Sequence, residues 1–450
     1  MIGPLSLYVK PVFRYVIRLL KEERPVRRVL TFFALLMLLV SLFAGVPQHV
    51  TNAEGSEEFV PGEVVVKLSK ASDLPTLAAQ YSLSPTPLDQ FGSRPIFRLR
   101  LTDNGSVKDR VDLLSRDSRV VFVEPNYVAK PPVGGGNTWS VGNTWSVGGD
   151  AGKFVAQWAP QKIHLSIAHQ VNRGIGPNGP IRIAVLDTGV DTKHPALAGH
   201  LLPGWDFVDN DSDPSEVGDQ KTGPYGHGTH VAGLVSLIAP DAKIIPIRVL
   251  DKRGMGNIWV LAEALAFAVD PDGNPATADG ADVINLSLST LRETRLLGSL
   301  LEKACGGDSG EDQDFPISVN PYLVVVAAAG NGGNDTKQYP AAENVDGLIA
   351  VAASTSDDKL ASFSSRGSWV QVAAPGQGIL STVPNGLYAT WSGTSMAAPM
   401  VAGEAALVRA RFPSLLNKDI ARQVERMSAN ISGDVPFRID AGFALTSSPH

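Results

Sequence analysis

From about Trp158 onward, short apolar runs of strand type alternate with helical patterns. The strand-type runs are Ile181 to Leu186, Ile244 to Val249, Val283 to Leu288, Leu323 to Ala328 and Leu348 to Ala352; the helical ones are Val231 to Ile238, Val260 to Val269 and Met396 to Ala410. Few folds accommodate such alternation. It predicts an α/β architecture with a doubly wound, mainly parallel sheet, whose ligands lie beyond the carboxyl ends of the strands. At 450 residues, 44% hydrophobic and 19% charged, the chain can build a large core, which excludes disorder, collagen and coiled coil. The search for chemistry therefore starts where the strands stop.

Four polar groups stand at such ends. The apolar run Ile183 to Leu186 finishes in Asp187-Thr188-Gly189, and Gly226-His227-Gly228-Thr229-His230 sets an imidazole between two glycines at a helix start. Ala329-Gly330-Asn331-Gly332 follows the run ending at Ala328, and Gly393-Thr394-Ser395-Met396-Ala397-Ala398-Pro399 puts a serine in the first turn of an apolar helix. A serine hydroxyl is a weak nucleophile that needs a base within about 3 Å, itself oriented by a third group. His227 can be that base and Asp187 its orienting acid. Attack on a carbonyl creates an oxyanion, which the Asn331 amide and the Ser395 backbone N–H, at a helix N-terminus, can stabilise. His230 reads as a packed helix residue and not as a second base.

In this order and context the motifs identify the chain as resembling the subtilases, the subtilisin-like serine proteases, in their thermitase-like branch, over roughly Gln157 to Leu445. The resemblance implies a subtilisin-like sheet and a serine endopeptidase, with Asp187, His227 and Ser395 as the catalytic triad and Asn331 as oxyanion donor. It also implies a cleft that binds protein or peptide substrates as an added strand, between Gly254-Met255-Gly256 and Ser287-Leu288-Ser289, with Ala328, Ala329 and Gly330 forming another wall. Ser289 stands where the family usually has Gly, and Gln338 precedes Tyr339-Pro340 at the pocket floor; the lack of charge there favours apolar or aromatic P1 side chains. Met400 replaces a common His.

The resemblance raises the question of calcium. Between Val235 and Pro240 the chain is too short for the family's strong calcium loop, and Ala196 occupies an acidic ligand's place. Asp206, Asp209, Asp211 and Asp213 match a second, thermitase-type loop, and their clustered oxygens suit a structural Ca²⁺ as well as they suit a solvated turn. No cofactor is expected for catalysis.

Ahead of this region, Glu63 to Leu68, Leu74 to Ser82, Ile96 to Leu101, Val107 to Ser115 and Val120 to Val123 read as strand, helix, strand, helix, strand. Residues 59–128 thus form a small α+β unit, expected to be ferredoxin-like. Its Phe59-Val60-Pro61-Gly62-Glu63 start and Val123-Glu124-Pro125-Asn126-Tyr127 end resemble a subtilase inhibitor propeptide, which makes the chain's own propeptide a partner of the protease. Residues 129–156 are rich in Gly and Pro and repeat the hexapeptide Asn137 to Gly142 at Asn143 to Gly148; they read as a linker holding the maturation site, ahead of a catalytic domain at 157–450.

The first 28 residues carry seven Lys or Arg against two Glu, and Val29 to Val46 is an uncharged run predicted to be an apolar helix. Two readings of residues 1–53 stand: a signal peptide, or a retained anchor with its basic lead in the cytoplasm. Either places the rest outside, secreted or at the extracytoplasmic face of the membrane. The basic charge belongs to targeting, so no nucleic-acid partner is expected. Cys305 is the only cysteine, which leaves no intrachain disulfide. Two rival functions remain: a membrane-tethered processing protease of narrow specificity, or a catalytically silent binding protein on the same fold.

Overall fold

The computed structural model describes residues 58–132, 149–220, 223–274, 277–307 and 317–449. The apolar run at 29–46 and the hexapeptide repeat lie outside them.

Residues 59–129 fold in the order βαββαβ: β1 (Phe59–Leu68), α1 (Leu74–Gln80), β2 (Asp89–Gln90), β3 (Ile96–Arg100), α2 (Val107–Leu114) and β4 (Val120–Ala129). The antiparallel sheet runs β4-β1-β3-β2, the ferredoxin-like arrangement. Strand alternation sorts β1: Val64 and Val66 join Leu77, Leu99 and Leu114 in the unit's own core. Val65, with Ile96, Phe91 and Phe122, faces the other way into a core shared with the larger region.

The larger region is built on β5 (Arg182–Asp187), α3 (His227–Ile238), β6 (Lys243–Arg248), α4 (Ile258–Val269), β7 (Val283–Leu286), α5 (Arg295–Ala304), β8 (Val324–Ala328), β9 (Leu348–Ser354) and β10 (Val372–Pro375). A hairpin, β11 (Ile379–Val383) and β12 (Leu387–Trp391), leads into α6 (Thr394–Arg411). The sheet order is β10-β9-β8-β7-β5-β6, extended by Phe437–Arg438 and Ala429–Asn430 at one edge and Trp205–Asp206 at the other. All the long neighbours pair in parallel.

Burial on both faces explains the wholly apolar runs. Ile183 and Val185 pack with α3 and α6 on one face, and Ala184 and Leu186 with α4 and α5 on the other. The packing of α3 on α6 is tight enough that a Cβ on Gly403 would lie 2.5 Å from Ile238 Cβ. Cys305 is buried at the end of α5, where burial pushes its thiol up to about 12. No helix among the described residues is long and apolar enough to cross a membrane.

Candidate active site

Parallel register brings the candidate groups to one edge. Asp187 is the last residue of β5; Ser287 follows β7, whose Leu286 pairs with Leu186; Asn331 lies three residues beyond β8, whose Ala327 pairs with Leu286. His227 is the first residue of α3 and Ser395 the second of α6. All five side chains are buried, and the Ser395 hydroxyl lies 3.4 Å from the Ser287 carbonyl oxygen.

His227 Nδ1 is 2.6 Å from Asp187 Oδ1. An ionised carboxylate can only accept, so Nδ1 carries the hydrogen and Nε2 is the basic nitrogen. The same Oδ1 takes the Thr188 N–H at 2.8 Å. Close backbone approach explains the glycine after His227, since a Cβ on Gly228 would lie 2.1 Å from the Gly189 carbonyl oxygen. His230 stacks on Trp391 with ring centroids 4.7 Å apart. Burial, and then His227, push its pKa down to about 3, which makes it a neutral packing residue.

Asn331 is fixed from behind. Its Oδ1 accepts the Thr394 N–H at 2.9 Å and the Thr394 hydroxyl at 3.1 Å, which turns the NH₂ group outward. Nδ2 then donates to the carbonyl oxygen of Pro132 at 2.8 Å. Pro132 lies three residues beyond the end of β4, whose last residues pair with an expected cleft edge. Asn257 and Gly256 pair antiparallel with Val128 and Ala129 at the end of β4. Beyond them Lys130 exchanges two backbone hydrogen bonds with Ser289, 3.0 and 2.8 Å long.

The expected cleft edges are thus occupied by the chain's own residues 128–132. The first four residues of the expected linker are strand and cleft ligand, and Ala151–Ala156 is helical. Further back, the Glu124 carboxylate accepts the N–H groups of Arg295 and Leu296 at the start of α5, and Asn126 Oδ1 accepts the Trp259 N–H at the start of α4.

The methyl groups of Ala328 and Ala329 are turned into the core, Ala329 against Ala352, Val370 and Ala373, so that segment offers its backbone. Across it, the Ser289 hydroxyl donates to Gln338 Oε1 at 3.0 Å, and Gln338 Cγ lies where a Gly330 side chain would otherwise project. Met255 is held by its own N–H on Asp251 Oδ1 at 2.9 Å, and Leu288 is core.

Calcium does not fit the Asp206 loop as built. The Arg248 guanidinium bonds both the Asp206 and the Asp209 carboxylates, Asp211 Oδ1 accepts the Asp213 N–H, and Asp213 Oδ1 accepts the Ser215 N–H. Among the described residues the four carboxylates do not gather as a metal-holding group, and the repulsion between Asp206 and Asp209 is already offset by buried Arg248. A metal would have to displace an arginine.

Sequence reading passed over Pro132, Thr394, Thr188 and Glu216, all of which touch these groups. Only Thr188 and Thr394 stood inside quoted motifs; the other two are placed by tertiary structure.

Residues 179–442 match the Subtilase family, and residues 46–126 match the Fervidolysin N-terminal prodomain. A "Thermophilic serine proteinase" from Bacillus sp. (strain AK1) is 34% identical over 400 residues, covering 86% of this chain and 88% of that one. Thermitase from Thermoactinomyces vulgaris is 40% identical over 287 residues, 62% of this chain and 90% of its own. Among solved structures, a protease from Pseudoalteromonas arctica PAMC 21717 aligns with a TM-score of 0.55 at 28% identity, over 67% of this chain and 99% of that one.

The fold and these matches define a serine-type endopeptidase with an N-terminal prodomain. The chain belongs to the subtilase family and is a thermitase-like subtilase made as a proteolytic zymogen, with protein substrates and its own propeptide as partners.

Proposed function

We propose that Ser395 attacks substrate carbonyls with His227 as general base and Asp187 holding the imidazole, and that the enzyme frees itself by cutting on the carboxyl side of Pro132. In this reading the Ser395 hydroxyl passes its proton to His227 Nε2 as Oγ bonds the carbonyl carbon. The resulting oxyanion takes hydrogen bonds from Asn331 Nδ2 and the Ser395 N–H. His227 then protonates the leaving amine, and water repeats the sequence on the acyl-enzyme. Protein groups alone carry these steps.

One observation carries the reading: the Asn331 amide donates to a peptide carbonyl presented by an antiparallel strand paired to both cleft edges. That is the geometry of a substrate's acyl half, with Pro132 as P1, Lys130 as P3 and Ala129 as P4. The Ser289–Gln338 bridge supports a narrow P1 pocket that favours the small members of the apolar or aromatic P1 set expected from the lack of charge. Residues 59–128 serve as inhibitory propeptide and 157–450 as catalytic domain.

Export is supported by the basic lead and uncharged run of residues 1–53, and the mature enzyme acts extracytoplasmically. Recovery of the mature form from culture fluid would support a cleaved signal peptide. Recovery only from washed membranes would favour tethering through residues 29–46.

A fluorophosphonate probe tests the chemistry. It labels Ser395 in the matured wild type and nothing in Ser395→Ala. A wild type that takes no label would leave a silent binding protein.

A further inference from the structure

The helix carrying His227 begins without a cap of its own. Gly226, at φ 92°, has no side chain to offer, and Gly228 is required by backbone contact with Gly189. Two of the orphan N–H groups of the first turn nevertheless find acceptors. The Gly228 N–H donates to Thr188 Oγ1 at 3.0 Å, and the Thr229 N–H to Glu216 Oε1 at 3.1 Å.

Glu216 comes from a loop remote from both. The same Oε1 accepts the Thr188 hydroxyl and the Thr229 hydroxyl, each at 3.1 Å. Thr188 in turn gives its N–H to the Asp187 oxygen that holds His227, and Thr229 Oγ1 accepts the Asp191 N–H at 2.9 Å. Backbone packing presses the loop on the turn: a Cβ on Gly189 would lie 2.7 Å from the Ser215 carbonyl oxygen. One carboxyl oxygen therefore ties the chain neighbour of Asp187 to the first turn of the His227 helix.

We propose that Glu216 is a positioning residue for the reaction: its carboxyl clamps the strand end bearing Asp187 to the helix start bearing His227 and so sets the length and direction of the Asp187–His227 hydrogen bond. The proposal rests on the triad reading. The residue is half-buried, but its Oε2 is shielded from solvent and has no hydrogen-bond partner, so acceptance at Oε1 is what the group supplies. Burial pushes the carboxyl up to about 8 against the pull of the Gly226 and Thr229 N–H groups, with the Asp187 charge adding to the rise.

The test compares full-length wild type, Glu216→Ala and Glu216→Gln after maturation, with active sites counted by fluorophosphonate titration. Loss of the clamp lowers kcat about 10- to 100-fold in Glu216→Ala with KM within about threefold, because misplaced groups cost rate more than binding. Glu216→Gln keeps kcat within about threefold, since its amide oxygen accepts the same bonds from Thr188 and Thr229.

Should Glu216→Ala fail to mature, both variants are made on Ser395→Ala. The downfield proton resonance of the His227 Nδ1–H bond is then read by NMR: unmoved in Glu216→Gln, shifted or broadened in Glu216→Ala. Wild-type kcat or an unmoved resonance in Glu216→Ala overturns the proposal, as does a Glu216→Gln impaired as deeply as Glu216→Ala. Failure of the triad reading looks different, because then the wild type itself takes no label.

Discussion

The Asn331 side-chain amide reaches the Pro132 carbonyl oxygen at 2.8 Å across 199 residues of chain, so the would-be oxyanion donor is already engaged with a peptide group of the same molecule. Its orientation is set by Thr394, whose N–H and hydroxyl both occupy Asn331 Oδ1. A donor held in place before the charge develops needs no reorganisation when it appears.

Asn331→Ala is expected to lower kcat by about 10² to 10³ with little change in KM, a magnitude established on subtilisin itself. Thr394→Val, which removes the hydroxyl and keeps the backbone N–H, loses about tenfold, and Thr394→Ser regains most of it. Steady-state kinetics on a peptide amide, normalised by active-site titration, checks both. A raised KM with kcat unchanged would point to a binding role.

Ser289 donates to Gln338, and Gln338 lies against Gly330, at the proposed P1 pocket. Ser289→Gly combined with Gln338→Gly should raise kcat/KM for a phenylalanine P1 relative to alanine by about 10- to 100-fold, the range a reshaped apolar pocket commands. Matched peptide series measure it; an unchanged ratio would mean that the bridge does not set P1 size.

Prosegment release should depend on pH. Burial pushes Glu124 up to about 7 against the pull of the Arg295 and Leu296 N–H groups, and burial with Asp89 pushes Glu263 on α4 to about 7. Freed, each carboxyl returns towards 4.5. A carboxyl with a raised docked pKa carries its proton in the complex. Its stabilisation is complete below about 4.5 and is lost as pH rises through 7, at about tenfold in affinity per unit for each group. Gel filtration of the self-cleaved protein should show the prosegment retained at pH 5.5 and shed at pH 8.5, with the slope reduced in Glu124→Gln. Equal retention at both values would contradict the assignment of raised pKa values to these carboxyls.

Arg248 holds Asp206 and Asp209 together, and both Arg248 and Asp206 are buried. Arg248→Met leaves those carboxylates uncompensated and should cost about 3 kcal/mol of stability. Thermal unfolding of the variant on Ser395→Ala, where self-digestion is absent, gives the shift. A Tm within a degree of the parent would show that the arginine is dispensable to the loop and that a bound cation can take its place.

Much of the scaffold was legible because burial on both sheet faces leaves uninterrupted apolar runs: Ile183 to Leu186 and Val324 to Ala328 could hardly be anything else. Motif glycines marked the close approaches, Gly228 on Gly189 above all. Less legible was whatever depends on partners distant in sequence. Residues 129–132 resemble a linker because Pro131-Pro132 breaks local structure, yet their N-terminal half joins a ladder whose other strands come from 256–257 and 289. The Asp206 loop has the spacing of a cation site, but the charge that answers it comes from Arg248, 42 residues from Asp206.

The central claim is that Ser395 attacks the Pro132 carbonyl, so intact-mass and N-terminal analysis of the purified protein tests it most directly. Wild type should yield a mature chain beginning at Val133, while Ser395→Ala stays joined to its prosegment. A Ser395→Ala protein cleaved at the same bond, or a wild type whose first cut falls elsewhere, would contradict the claim.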